Sequence, residues 1–562
     1  MLQSETVHGL FSRVGFLSKQ SDVTRERVFL LLLCLLVFLP GLGLRDPWPA
    51  DEPRFALVAK QMVESGHWFF PTRGNEFYAD KPPVFMWLIA VFYALIGNMK
   101  LAFLLPSTLA AIGVIFLVYD LGSRLWSRKE GLAAATSLLV LVQFVVQAKS
   151  AQIDMVLTFW TTLALYGMVR HLIISSAPIW FLTGCFSMGL GIITKGVGFL
   201  PLLLIIPFFL AKLKGWLPLN QKVRWWWPLL SLVFLLIGIA VWLGPMLFLV
   251  ESSGDPALLA YKNDILYKQT ADRYLRSWHH IKPFWYFVLG VMPWAWLPFS
   301  LLIVNYLKSW WKKIKVGDNR FLTLILWGLS ALLFFSLTKG KRGVYILPLL
   351  PAFALLVGAV QEEVFSSKRV QVYFRCLGVL FGALFVAAGI GLLIRPAMFF
   401  DGTGFSIPIG FLIGFILFGF LIGVVSIIRI GKFKGNHSLF LVMVMIWLFL
   451  SVVIWPGINP LQSPRLMMHE IRQVIGPKTI LGMVSWKEQL LLQAEGPTKT
   501  FGFKKDHDLQ MEEAISWMKE AEQNHWLLIN ENKGLEPFDA KDASYSKRIH
   551  GRNWYLFEKA PE

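Results

Sequence analysis

The chain has 562 residues, of which 56% are hydrophobic and only 16% are charged. Soluble domains carry about a quarter charged residues, so this composition excludes an ordinary soluble protein, and recurrent apolar stretches of about twenty residues predict a polytopic helical membrane protein. The formal net charge is +19, but the basic residues cluster in short loops between apolar runs. Anionic lipid is therefore a simpler partner for them than nucleic acid.

The N-terminal tail carries Arg25 and Arg27 immediately before the first apolar run. No small-residue cleavage site follows a short hydrophobic region, so we expect an uncleaved anchor. The cysteines, Cys34, Cys185 and Cys376, all lie inside apolar runs and lack metal-ligand spacing. They therefore predict neither a metal site nor a compartment.

The apolar runs are the candidate membrane spans. Fourteen of them cover residues 28–45, 83–97, 100–120, 131–148, 154–173, 179–194, 197–212, 228–250, 283–307, 320–337, 344–361, 373–394, 406–428 and 437–455. Fourteen crossings would place the loop with Arg124, Arg128 and Lys129 outside, against the excess of Lys and Arg expected in cytoplasmic loops.

The run 83–97 is also too short to cross a bilayer comfortably. Its fifteen residues, at about 1.5 Å each, give about 22 Å against a hydrocarbon core of about 30 Å. It begins at the Pro82-Pro83 pair, which suits a first helical turn. We therefore expect 83–97 to be a non-spanning helix along the outer interface, which leaves about 13 transmembrane helices.

This topology places the basic loops and the N-terminus inside and the C-terminus outside. The outer face then consists of 46–99, the loop from about 251 to 282, the loop 338–343 and the tail from Pro456. The predicted fold class is an all-α polytopic membrane protein, formed by residues 1–455, with a small soluble α/β domain at 456–562.

The tail has its own secondary-structure signals. Residues 479–486, 525–532 and 553–560 have strand character, and 509–523 has the apolar spacing of a helix. We find no chemistry in this region and interpret it as an accessory domain.

Residues 46–83 form the first long polar break and contain the adjacent carboxylates Asp51 and Glu52. One interpretation is that the pair caps an interfacial helix that begins near Pro53. The other is a catalytic role, and the two are compatible because a cap also directs carboxylates toward a helix N-terminus.

Asp154 is a second candidate carboxylate, at the start of the apolar run 154–173. An ionisable residue at that depth is costly and is a functional candidate, although an Asp that caps the span is the alternative. The predicted topology places Asp154 on the same side as Asp51. Two such carboxylates suit a paired acid/base or a cation-holding arrangement.

Lys and Arg are usually enriched in cytoplasmic loops, so basic residues on the predicted outer face are functional candidates. They are Lys81, Arg54, Arg273, Lys339, Lys341 and Arg342. A phosphate or pyrophosphate at the membrane surface is a natural partner, with Arg giving bidentate contacts and Lys a point charge. Attraction to lipid headgroups is the competing explanation.

Three further residues are weaker candidates for substrate contact. His279 and His280 are adjacent, so on a helix they would point to different faces, and a metal site from this pair alone is not expected. Lys195 sits at a predicted outer turn, where it either faces the cavity or snorkels to the interface.

The motif DEPRFA at 51–56, followed by YADKPPVFMWLIA at 78–90, resembles the Asp-Glu-x-Arg-Tyr and Lys-Pro-Pro signatures of bacterial lipid-linked glycosyltransferases. These GT-C-fold enzymes are grouped with protein O-mannosyltransferases, and the chain most resembles the lipid A 4-amino-4-deoxy-L-arabinose transferases. Further matches are 105–126, 193–201, 341–351 and the Asp154 segment. One departure is Phe55, where the family usually has Tyr.

The resemblance implies roles for individual residues and for a donor. It makes Asp51 the main catalytic carboxylate and Asp154 its partner, with the donor phosphate held by Lys81, Arg54, Arg273 and Tyr345. We group Glu52 with the carboxylates and Lys341 with the phosphate ligands. The donor implied is an undecaprenyl phosphate sugar in the outer leaflet of a bacterial inner membrane, and the acceptor is lipid A or another lipid or glycan.

Three functions remain open at this point. The preferred one is an inverting transfer of an aminosugar to lipid A. The second is a related transferase that acts on protein, polysaccharide or another lipid, and the third is a lipid or solute transporter. No P-loop or dinucleotide motif is present, and we predict no firm cofactor, with metal dependence left open.

Overall fold

The computed structural model describes residues 21–213, 227–267, 280–394, 408–428, 435–519 and 525–560. The helices of the N-terminal part are α1 Asp22–Phe38, α2 Glu52–Ser65, α3 Val84–Ile96, α4 Met99–Ala102, α5 Leu105–Leu125, α6 Arg128–Leu138, α7 Val142–Ala148, α8 Ile153–Val169, α9 Pro178–Lys195, α10 Ile205–Leu213, α11 Trp227–Ser253 and α12 Pro256–Asn263.

The remaining helices are α13 Met292–Ala295, α14 Ile303–Lys315, α15 Asn319–Leu337, α16 Leu350–Gly358, α17 Gln361–Phe365, α18 Lys368–Ile394, α19 Ile409–Ile427, α20 Gly435–Phe449, α21 Trp455–Gln462, α22 Arg465–Ile475, α23 Glu488–Gln493 and α24 His507–Lys519. The strands are β1 Thr72–Arg73, β2 Glu76–Phe77, β3 Ile480–Met483, β4 Thr498–Thr500, β5 His525–Asn530, β6 Tyr545–Ile549 and β7 Arg552–Phe557.

The helical part is a multi-pass membrane bundle. Seven helices within the described residues are long and apolar enough to cross a bilayer, or nine if each of two bent pairs is one span. Many outward-facing leucines, isoleucines and phenylalanines are exposed on these helices, as expected where lipid replaces water as the solvent. The exact number of thirteen spans stays a prediction.

Helix α3 matches the predicted 83–97 segment in both position and length. Its thirteen residues make it one of the shorter apolar helices rather than a candidate span. Together with α2 and the β1–β2 hairpin, it forms the segment between the first two long apolar helices. Its position along the outer interface stays a prediction.

Two predicted spans are broken rather than straight. The helical stretches that make up 131–148 meet at 68°, and those that make up 283–307 meet at 112°. Pro298 lies in the second break, where the missing backbone N–H and the ring interrupt a helical ladder. Apolar composition alone did not reveal either bend.

The C-terminal sheet confirms the three predicted strands and adds two more. Its strand order is β4-β3-β5-β7-β6, with parallel pairing of β3 to β4 and to β5, and antiparallel pairing of β7 to β5 and to β6. The two missed strands, β4 and β6, are the edge strands and carry exposed polar residues, as edges commonly do. The predicted helix 509–523 corresponds to α24 as far as Lys519, and residues 520–524 lie outside the described residues.

The sheet domain packs directly on the segment that contains α2 and the β1–β2 hairpin. Glu76 Oε1 accepts a hydrogen bond from the backbone N–H of Phe503 at 3.0 Å, and Arg54 donates to Glu488 on α23 at 2.9 Å. One hydrophobic core runs from α1 through the bundle to Leu481 and Trp486. The last apolar helix continues to Gln462, and a domain division at residue 456 stays a prediction.

Candidate functional site

Asp51 occupies the N-cap position of α2, yet its carboxylate makes no capping hydrogen bond there. Oδ2 instead accepts a hydrogen bond from Nη2 of Arg342 at 2.8 Å, and Oδ1 lies 3.7 Å from Nη1 of Arg54. The Asp51 side chain is mostly buried. The local fold therefore leaves this carboxylate directed at cations rather than at its own helix.

Arg342 reaches Asp51 from the loop that follows α15. This loop is held by the segment 280–282, because the backbone N–H of Lys341 donates to the carbonyl of His280 at 2.9 Å and Nζ of Lys341 donates to the carbonyl of Lys282 at 2.9 Å. Burial by itself lowers the pKa of Arg342, but the hydrogen bond and charge of Asp51 and the charge of Asp154 together raise it. Arg342 is thus a cation that pairs with Asp51 and is also influenced by the negative charge of Asp154.

Asp154 lies in the first turn of α8, and Lys195 is the last residue of α9. Nζ of Lys195 forms a short ion pair with Oδ1 of Asp154. The same ammonium lies 4.6 Å from the ring centroid of Tyr345, within the range of a cation–π contact. The antiparallel packing of α8 and α9 explains the geometry, since it places the start of one helix beside the end of the other.

These contacts bring Asp51, Arg342, Asp154, Lys195 and Tyr345 together, and we call them the carboxylate cluster. The residues come from four separate parts of the chain and alternate in charge. Fixed cations next to mostly buried carboxylates provide a polarised site in which developing negative charge on a substrate can be stabilised.

Glu52 is engaged differently from Asp51. Its carboxylate is buried, and it accepts hydrogen bonds from both terminal nitrogens of Arg45, the longer one at 2.7 Å, and from the backbone N–H of Trp48 and of Ala151 at 2.9 Å each. Arg45 also donates to the carbonyl of Lys149 at 3.0 Å. This network ties the start of α2 to the segment that enters α8, and so it positions Asp51 relative to Asp154.

Arg54 connects the cluster to the C-terminal domain. Nε donates to Oε1 of Glu488 at 2.9 Å, and Glu488 is also 3.4 Å from Nη1 of Arg73. Burial lowers the pKa of Arg54, but Tyr78, Glu488 and Asp51 raise it to a value well above the ordinary one.

Residues 80–243 match a family model described as dolichyl-phosphate-mannose-protein mannosyltransferase. The chain is 30% identical over 407 residues to an undecaprenyl phosphate-alpha-4-amino-4-deoxy-L-arabinose arabinosyl transferase of Pectobacterium carotovorum, and the match covers 69% of this chain and 68% of that relative. The chain belongs to this arabinosyl transferase family.

Other relatives and a solved structure agree with the assignment. The transferase of the same name from Pseudomonas savastanoi is 29% identical over 351 residues, which is 61% of this chain and 63% of that relative. The crystal structure of ArnT from Cupriavidus metallidurans bound to undecaprenyl phosphate has the same fold, with a TM-score of 0.71 and 20% identity over 95% of this chain and 99% of that one. The protein is a glycosyltransferase with a GT-C fold.

Within this family framework, the structure brings some of the predicted site residues together. Asp51, Asp154, Lys195 and Tyr345 meet in the carboxylate cluster, and Arg54 borders it. Glu52 lies beside it, but its carboxylate already accepts four hydrogen bonds. The geometry favours a positioning role for Glu52, and its catalytic role stays a prediction.

The remaining predicted site residues are Lys81, Lys341, His279, His280 and Arg273. Lys81 is half-buried in the turn before α3, next to Asp80, which lies 3.6 Å from Nη1 of Arg73. The ammonium of Lys341 is buried and holds a backbone carbonyl, while His280 is exposed and contributes its own carbonyl. Arg273 and His279 lie outside the described residues. The assignment of these residues to substrate binding stays a prediction.

Sequence reasoning placed Arg342 on the outer face but did not include it among the site residues. It also missed Arg45, the partner of Glu52. Arg45 closes the first apolar run seven residues before Glu52, and a cation at that depth is a signal that a buried acid needs a partner. Glu488 is the partner of Arg54 although the two lie 434 residues apart in the chain. No local sequence pattern indicated this pairing.

In the described parts of the chain, no three His, Cys, Asp or Glu side chains are grouped in a way that could hold a metal ion.

Proposed function

We propose that this protein transfers 4-amino-4-deoxy-L-arabinose from undecaprenyl phosphate to lipid A. Membership of the arabinosyl transferase family supports this activity. The structural observation that carries it is the carboxylate cluster, in which Asp51 pairs with Arg342 and Asp154 pairs with Lys195.

The cluster suits a polyprenyl phosphate leaving group. As the bond to the anomeric carbon breaks, negative charge builds on the phosphate, and nearby fixed cations stabilise that transition state. Lys195 and Arg342 are placed to supply this charge, and we propose that Lys81, Arg273 and Lys341 also contribute positive charge. Tyr345 offers a phenolic hydroxyl at the same place.

The role of Asp51 depends on the acceptor group. A hydroxyl acceptor needs a general base. Asp51 suits this role better than Glu52, because the carboxylate of Glu52 already accepts four hydrogen bonds. A phosphate acceptor is already ionised, and then Asp51 orients groups and balances the charge of Arg342. In either case an in-line displacement inverts the anomeric centre, so the product is expected to have the opposite anomeric configuration to the donor.

We place the active site on the periplasmic side of a bacterial inner membrane, with the N-terminus in the cytoplasm and the C-terminal domain, from about residue 456, in the periplasm. The distribution of basic loops supports this orientation.

The decisive experiment is mass spectrometry of lipid A from a strain that lacks the gene, with and without a plasmid copy. Loss of the aminosugar in the deletion strain and its return with the plasmid copy are the expected results. Unchanged lipid A in the deletion strain would contradict the proposal.

The match of residues 80–243 to a protein mannosyltransferase model favours one second candidate, a transferase that uses a polyprenyl phosphate sugar but acts on protein. Incubation of the purified enzyme and labelled donor with lipid A or with periplasmic protein separates the two candidates. A transporter, the third function that the sequence left open, does not agree with membership of a glycosyltransferase family.

A further inference from the structure

A cavity lies where the C-terminal sheet domain meets the start of α2. Its volume is about 320 Å³, within the range of about 300–1,000 Å³ that is usual for small-ligand sites. The walls come from Pro49, Ala50 and Arg54 on the side of α2, and from 487–490, Phe503, Ile549, His550, Arg552 and Trp554 on the sheet domain. We call this cavity the junction pocket.

The lining of the junction pocket is rich in positive charge. Arg54, Lys487 and Arg552 line it, whereas Glu488, the only carboxylate among its lining residues, already pairs with Arg54 and with Arg73. In the part of the chain that the structure describes, the side chains of Lys487 and Arg552 make no hydrogen bond and no ion pair; Lys487 contacts only a ring face, 5.7 Å from the centroid of Phe503. Two cations held in a pocket without a counter-charge favour an anionic ligand.

The electrostatic environment of Lys487 agrees with this. Burial lowers the pKa of this lysine most, and the nearby charge of Arg552 lowers it further. Glu488 opposes this effect, and Lys533 and Arg54 make smaller contributions in the same direction as Arg552. An anion in the junction pocket would relieve this repulsion between like charges.

His550 adds a hydrogen-bond acceptor. Its Nε2 lies 3.0 Å from the carbonyl oxygen of Gln462, and a carbonyl only accepts, so the ring proton is on Nε2. Burial lowers the pKa of His550, which keeps the ring neutral near pH 7. Nδ1 is then an acceptor; it is buried and has no partner among the described residues. A sugar hydroxyl provides the donor that this nitrogen lacks.

We propose that the junction pocket binds the phosphorylated sugar headgroup of the acceptor. The phosphate would contact Lys487 and Arg552, and a hydroxyl of the sugar would donate to Nδ1 of His550. This assignment rests on the proposed transferase function, because it gives the acceptor a place distinct from that of the donor.

Arg54 explains how the junction pocket and the carboxylate cluster work together. It lines the pocket, pairs with Glu488 at its rim and lies 3.7 Å from Asp51. A headgroup held in the pocket is therefore one side chain away from the proposed catalytic carboxylate. The C-terminal domain, which showed no chemistry in its sequence, would then be half of the acceptor site.

The test uses the full-length protein in phosphatidylcholine nanodiscs. Binding of purified lipid A and of dephosphorylated lipid A is measured for the wild type, for Lys487→Gln and for Arg552→Gln. Lys499→Gln is the matched control, because Lys499 is an exposed lysine on β4 that does not line the pocket. Phosphatidylglycerol nanodiscs replace the phosphatidylcholine ones in a third arm, and transfer kinetics are followed on the same samples.

We expect the wild type to bind lipid A at least about 10-fold more tightly than the dephosphorylated lipid, since a charge-assisted contact to phosphate is worth about 1.5–3 kcal/mol. Each pocket variant should lose most of that difference and raise the KM for lipid A about 10-fold, with the KM for the donor unchanged. Lys499→Gln should behave as the wild type, and Lys487→Arg should retain binding, which separates loss of charge from misfolding.

Two results would overturn the proposal: pocket variants that discriminate the phosphate as well as the wild type, or a wild type whose preference for lipid A over the dephosphorylated lipid disappears in phosphatidylglycerol nanodiscs, which would indicate a general contact with membrane headgroups. A wild type that binds lipid A through the pocket but transfers no sugar would refute the proposed function and leave the pocket assignment standing. Transfer that is unaffected in both pocket variants would refute the pocket assignment and leave the proposed function standing.

Discussion

At the scale of single residues, two neighbouring carboxylates have different tasks because their partners differ. Asp51 pairs with Arg342 and lies near Arg54, whereas the carboxylate of Glu52 is saturated by Arg45 and two backbone N–H groups. We predict that Asp51→Asn lowers transfer at least about 100-fold, because positioned acid–base or charge-balancing groups contribute about 10²–10⁴-fold, and leaves the melting temperature nearly unchanged. Glu64→Gln, an exposed acid on the same helix, is the control. An Asp51→Asn enzyme with full activity would remove this residue from the mechanism.

Glu52 leads to the opposite prediction. Glu52→Gln leaves Arg45 buried without its full counter-charge, so it should destabilise the protein by about 3–5 kcal/mol. The measurement is thermal unfolding in detergent, and the double change Glu52→Leu with Arg45→Met should recover much of the loss, because it removes both charges. If the single variant were as stable as the wild type but inactive, Glu52 would have a direct role in catalysis.

At the scale of elements, the site depends on how closely α8 and α9 approach each other. Gly167 on α8 faces the carbonyl oxygen of Trp180 on α9, and a Cβ at this position would overlap that oxygen. We predict that Gly167→Val separates the two helices, costs about 1–3 kcal/mol of stability and weakens the contact of Asp154 with Lys195, with a loss of transfer activity. Gly328→Ala on α15, where a Cβ meets nothing within 4 Å, is the control, and equal melting temperatures for the two variants would contradict the prediction.

At the scale of the whole molecule, the charge pattern predicts which face of the bundle meets the periplasm. In a Cys376→Ser background, in which the other two cysteines are buried, Lys499→Cys on the sheet domain should react with a membrane-impermeant maleimide in intact spheroplasts. Lys313→Cys, exposed at the end of α14, should react only after lysis. The reverse pattern would place the active site in the cytoplasm and refute the proposed orientation.

The sequence alone determined the class of this protein, the positions of nearly all its apolar helices and three of the five C-terminal strands, and it singled out Asp51 and Asp154, whose catalytic roles stay predictions. These features are local, since hydropathy, short motifs and charge bias act within a few turns of chain. Tertiary structure decided the rest: the partners Arg342 and Lys195, the buried pair of Glu52 with Arg45, the two helix bends and the contact of Arg54 with Glu488. Which cation neutralises which carboxylate depends on distances between segments up to 434 residues apart in the chain, and only the packed fold sets those distances.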